Sequence, residues 1–169
     1  MWALPALSLF PLLTAACAHE KAPQSVAPVQ TTSIAQPAPK ANGNVAVSGD
    51  IAQACKIDFN NVDRAPKFDF DDSSLEPQDR GVLQQVATCV TSGPLKGRSL
   101  KLIGRADPRG EVEFNFVLGE HRASAVDDYL AQLGVDRHKL VETSRGKLDA
   151  TGTNDQGWQR DRRVDISLQ

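Results

Sequence analysis

Asp107 and Arg122 stand fifteen residues apart in GRADPRGEVEFNFVLGEHRASAV, residues 104–126, the first in a Pro-Gly turn and the second inside a helix-like run. A carboxylate beside a guanidinium suits a zwitterionic ligand: the acid takes an ammonium, and the planar fork takes a carboxylate through two parallel hydrogen bonds. An amino-acid head group is such a ligand. The same spacing also allows a plainer arrangement, in which Asp107 and Arg122 simply pair with each other. Other chemistry finds little footing. No nucleophile stands with a base, GRADPRG lacks the Lys-Ser/Thr of a phosphate loop, and His19, His121 and His138 have no close Cys/His spacing for zinc. The chain is expected to bind rather than catalyse, with no catalytic residue, cofactor or metal.

The elements that would position the pair can be read around it. SLKLIG (99–104) is a strand that delivers Asp107 to the end of a sheet, where Pro108-Arg109-Gly110 turns the chain. Residues 115–133 place Ala123, Val126, Leu130 and Leu133 on one helical stripe, with Gly134 as the C′ residue and Arg122 at the stripe's edge. Upstream, KFDF (67–70) alternates as a strand, Pro77 suits a helix start, and QDRGVLQQVATCV sets Val82, Val86, Cys89 and Val90 on one face. KLVETS (139–144) and RRVDISL (162–168) supply two more strands, with a short helix between them around 154–161. This order predicts an α/β two-layer sandwich: a four-stranded mixed sheet with helices on one face, and Phe68, Phe70, Leu100, Leu102, Val126, Leu130 and Val164 in its core.

The chain has 169 residues, is 24% charged and carries a formal charge of -2, a balance that does not suggest a nucleic-acid binder. Its start, MWALPALSLFPLLTAAC (1–17), is an uncharged apolar run shorter than the ~20 residues of a membrane span and reads as a secretory signal. Thr14-Ala15-Ala16-Cys17 resembles a bacterial lipobox, which implies lipidation of Cys17, and Ala18 after it implies the outer membrane. A non-lipidated signal is the alternative. Residues 18–50, rich in Ala, Pro, Gln, Ser and Thr and without aromatics, read as a disordered tether ahead of a folded domain at 51–169. With Cys17 lipidated, Cys55 and Cys89 remain as an even pair in a compartment that permits disulfides; two buried free thiols are the alternative.

GRADPRGEVEFNFVLGEHRASAVDDYLAQLGV, followed by SRGKLDATG and DRRVDISL, resembles the OmpA-like C-terminal domain family, especially its peptidoglycan-associated lipoprotein (Pal) type, over about residues 66–169. The resemblance implies a periplasmic domain, lipid-anchored to the outer membrane, that binds peptidoglycan without chemical turnover. It assigns the ammonium of meso-diaminopimelate in the stem peptide to Asp107 and its carboxylate to Arg122. It also implies that Ala106, Leu118, Phe70 and Asp71 line the pocket and that Asn115 orders the turn. The competing expectation is an envelope scaffold that docks a Tol-like protein instead. Arg105 stands where the family commonly has histidine. If the strand persists through residue 107, Arg105 shares a side with Asp107 and either competes for the carboxylate or holds it in place. Arg162 and Arg163 alternate, so at most one faces the pocket.

Overall fold

The computed structural model describes residues 40–42, 45–59 and 68–169; the signal, Cys17 and the tether up to residue 39 lie outside the described residues. The chain runs β1 (Lys40–Asn42), β2 (Val45–Val47), α1 (Gly49–Ala54), α2 (Pro77–Thr91), β3 (Leu100–Arg105), α3 (Val112–Gln132), β4 (Leu140–Gly146), α4 (Asp155–Asp161) and β5 (Val164–Leu168). The strand order is β1-β2-β5-β3-β4. Strands β2 and β5 are parallel, β5 and β3 antiparallel, and β3 and β4 parallel, which makes the mixed four-stranded sheet; β1 adds a short antiparallel edge.

Alternation along β3 sorts its residues by face. Leu100, Leu102 and Gly104 are buried, while Lys101, Ile103 and Arg105 point to the more open side. Leu102 lies opposite Ile166 and Gly104 opposite Val164, so β5 continues the apolar face. Onto it pack Ala123, Val126 and Leu130 of α3 and Val82, Leu83, Val86 and Val90 of α2, giving one core. Helix α2 begins at Pro77, where the missing N–H costs nothing, behind a reciprocal capping box between Glu76 and Asp79. Among the described residues no helix is long and apolar enough to cross a membrane.

Two details place the site. Gly104 and Gly119 touch backbone to backbone: a Cβ on Gly104 would stand 1.7 Å from the Gly119 carbonyl oxygen, so only glycine lets α3 lie this close to β3. Cys55, just after α1, is disulfide-bonded to Cys89 of α2, with Cα atoms 5.6 Å apart and a sequence separation of 34. That bridge closes the segment that carries Phe68–Asp72.

The first strand differs from expectation. Residues 68–70 are not extended ladder, because their backbone acceptors go elsewhere: the carbonyls of Phe68, Asp69 and Asp72 accept from arginine side chains, and Asp71 turns the chain with φ at 60°. The missing strand is Val45–Val47, within the stretch assigned to the tether, so ordered structure starts before residue 51. Three residues are too few to show a period, and pairing with β5 decides their state. Phe68 is core at 1% exposure, but Phe70, expected beside it, is 62% exposed. Helix α3 starts at Val112, before the apolar stripe begins.

Candidate functional site

At its C-terminal end β3 leaves the sheet, and the next residues build a cleft. The Ala106 amide donates to the Gly146 carbonyl at 2.9 Å, which fixes the exit direction and drops Asp107 into a buried position. The cleft is lined by Phe70, Asp71, Ala106, Asp107, Asn115 and Leu118, and also by Arg109, Gly110, Phe114, Arg122 and Arg162. All seven pocket residues expected from sequence therefore surround one cavity. Asn115, buried in the first turn of α3, donates to the carbonyls of Arg109 (2.6 Å) and Glu111 (2.9 Å), so it ties the 107–110 turn to the helix.

Asp107 and Arg122 form no ion pair with each other among the described residues. Asp107 instead accepts from Arg109, through Nε at 3.1 Å, Nη2 at 2.7 Å and the backbone amide at 3.1 Å, and from Arg162 Nη1 at 3.0 Å. Burial pushes this carboxyl up, but the Arg109 and Arg162 donors outweigh it and hold it below the usual carboxylate range. Arg122 is fully buried. It donates to the carbonyls of Asp72 (Nε, 2.8 Å), Arg105 (Nη1, 2.8 Å) and Asp69 (Nη2, 3.2 Å), and its guanidinium lies 4.9 Å from the Phe68 ring centroid. Burial, reinforced by the charge of Arg162 and opposed by Asp107, Asp72 and Asp71, lowers it to about 10. Among the described residues these bonds use three of the five guanidinium N–H groups.

A profile of the OmpA family matches residues 67–164. The chain belongs to the OmpA family. Its domain is of the OmpA-like, Pal-type kind. Similar proteins include the peptidoglycan-associated lipoprotein of Pseudomonas aeruginosa, 38% identical over 103 residues that cover 59% of this chain and 58% of that protein. Outer membrane protein A of Bordetella avium is 35% identical over 103 residues, covering 60% of this chain and 52% of that one. The chain thus spans little more than half the length of these curated relatives. The crystal structure of the Burkholderia pseudomallei peptidoglycan-associated lipoprotein aligns over 64% of this chain and 98% of its own, with a TM-score of 0.57 and 34% identity.

In this OmpA-family domain one arginine departs from the sequence expectation, one fulfils it, and one adds to it. Arg105 does not share a side with Asp107, because β3 ends at Arg105 and the next two residues are loop. It faces the far side of the sheet and pairs with Asp149 and Asp165, in a chain of charges that Arg145 and Arg163 extend. It therefore neither competes for Asp107 nor positions it. Arg162 is the member of the late pair that faces the pocket, as alternation allows, and it also donates to the Phe68 carbonyl at 2.5 Å. Arg109 passed unnoticed in sequence, although the Asx-turn spacing after Asp107 was a signal that its amide would return to the carboxylate. Trp158 of α4, stacked on Arg109, gave no signal at all.

Proposed function

We propose that this OmpA-family chain is an outer-membrane-anchored lipoprotein that binds peptidoglycan non-covalently, through the diaminopimelate of the stem peptide. One observation carries the reading: Asp107 and Arg122 line a single cleft without pairing with each other, Asp107 being held instead by Arg109 and Arg162. The ligand ammonium goes to Asp107, beside Arg162, and the ligand carboxylate goes to Arg122. Leu118 and Phe70 flank the apolar stem, and Ala106 and Asp71 complete the walls. The name of the Pseudomonas aeruginosa relative points the same way. Lipid on Cys17 and peptidoglycan in the pocket would be two attachments on one tether, each raising the effective concentration of the other, so modest affinity per site suffices.

Co-sedimentation with purified sacculi tests this. Asp107→Ala is expected to lose more than tenfold in binding, as for removal of one partner of a desolvated charge pair. Arg105→Ala, on the far side of the sheet, is expected to bind as wild type does. Full retention by folded Asp107→Ala and Arg122→Ala proteins would overturn the reading and shift weight to a scaffold docking another envelope protein. Mass spectrometry of the mature N-terminus decides the lipid.

A further inference from the structure

Asp107 is already occupied. The Arg109 guanidinium grips both its oxygens, and the same guanidinium lies between two aromatic rings, with its Cζ 4.4 Å from the Phe70 centroid and 4.3 Å from the Trp158 centroid. A carboxylate floor with two aromatic walls is a receptor for an organic cation, and here the chain supplies the cation itself. With Arg109 in place the cleft retains only about 30 Å³, room for little more than ordered water.

The backbone around this residue is tied down, while its side chain is partly open to solvent. The Arg109 carbonyl is held by Asn115, and Gly110, with φ at 79°, completes the turn. The Trp158 indole is itself anchored through Nε1 to the Gly152 carbonyl at 3.2 Å. The Arg109 side chain, by contrast, is 38% exposed against 4% for that of Asp107, and Phe70 above it is among the most exposed large apolar residues. Solvent can reach the guanidinium along one side, so it can swing out without unpacking the core.

We propose that Arg109 is a built-in competitor that closes the pocket, and that a ligand's primary ammonium binds by displacing its guanidinium from the cage of Asp107, Phe70 and Trp158. This rests on the peptidoglycan reading of the same site. The exchange is one cation for another, so Asp107 has two cationic partners both before and after it, and the aromatic walls serve whichever cation is present. Apparent affinity is then the intrinsic affinity multiplied by the fraction of molecules with Arg109 out. The device also selects: neutral or anionic molecules have nothing to offer Asp107 in exchange for Arg109.

The test is titration of the full chain with free meso-diaminopimelate. Arg109→Ala is expected to bind about tenfold more tightly than wild type, because the fraction of open pockets rises. Arg109→Lys, which keeps one charge but loses the two-pronged grip, falls between them, and Trp158→Leu, which removes one wall while leaving the ion pair, gains less. In the wild-type protein the Arg109 side-chain protons, shifted in NMR spectra by the two flanking rings, should move to solvent-like positions as the site saturates. Equal or weaker binding by Arg109→Ala, or Arg109 resonances that stay fixed at saturation, overturns the competitor while leaving the pocket reading intact. Absence of diaminopimelate binding by both wild type and Arg109→Ala overturns the pocket reading and the competitor with it.

Discussion

Replacing Gly104 by alanine should damage both the fold and the site, and the size of the damage follows from one contact. The added Cβ would lie 1.7 Å from the carbonyl oxygen of Gly119, where ordinary carbon–oxygen contact begins at about 3.3 Å. The obstacle is backbone, not a side chain that can rotate, so α3 must lift from β3 by roughly 1.5 Å. Overpacking of a well-filled interior costs typically ~1–3 kcal/mol, and a helix held along a whole face belongs at the upper end. The lift also reaches the site, since Asn115 and Arg122 sit about one turn to either side of Gly119. The bonds from Arg122 to the Arg105 carbonyl and from Asn115 to the Arg109 carbonyl, at 2.8 and 2.6 Å, would be stretched past useful length. Gly119→Ala should be milder. Its Cβ meets the Ser144 hydroxyl at 2.2 Å, which can turn away at the loss of its bonds with the Phe116 carbonyl and the Gly146 amide, and the Gly104 carbonyl only at 3.0 Å, while alanine regains helix propensity. Gly81→Ala, in α2 with nothing within 4 Å, should stabilise by about 0.5–1 kcal/mol. Urea denaturation gives the ranking, and co-sedimentation with sacculi reads the site. A Gly104→Ala protein as stable as wild type, or a Gly81→Ala protein that is the least stable of the three, would refute the close-approach argument.

Two other outcomes follow from the same coordinates. Replacing both Cys55 and Cys89 by alanine frees a loop of 34 residues and should cost about 4 kcal/mol in the chain-entropy account, read as a lower urea midpoint, with wild type under reductant matching the variant. Asp107 has a folded-state carboxyl held below its ordinary 3.8, so its contribution is fully present above that value and is lost as pH falls through the lowered folded value. The stability gap between wild type and Asp107→Asn should therefore be widest near neutral pH and shrink below about pH 4; a gap that grows toward acid would reverse the assigned direction.

Much of this was legible in the sequence because it rested on local periodicity. The stripes of α2 and α3, the strands β3, β4 and β5, and the turn that presents Asp107 all follow from spacings of two, three and four residues and from Pro and Gly at their ends. Val45–Val47 was not legible, since a three-residue strand takes its state from β5. KFDF failed for the complementary reason. It alternates as a strand should, but Arg122 and Arg162 claim the carbonyls that a ladder would have used, and those arginines come from parts of the chain far away in sequence.

The cleft's electrostatics were hidden in the same way, because three guanidiniums of identical chemistry take their roles from burial. Arg122, with no exposure, gives three donors to backbone carbonyls and holds the 69–72 turn against β3. Arg162, at 8% exposure, joins Phe68 to Asp107 and, after Arg109, helps hold the carboxyl below its ordinary range against the upward push of burial. Arg109 makes the most complete grip on Asp107 of any residue, yet it is the one with a side open to water. Its guanidinium can return to water when a better-fitting cation replaces it at the buried carboxylate. A buried pair could not be given up without leaving a charge stranded. Exposure, and not sequence spacing or distance to the carboxylate, thus separates the arginines that build the pocket from the one that can leave it.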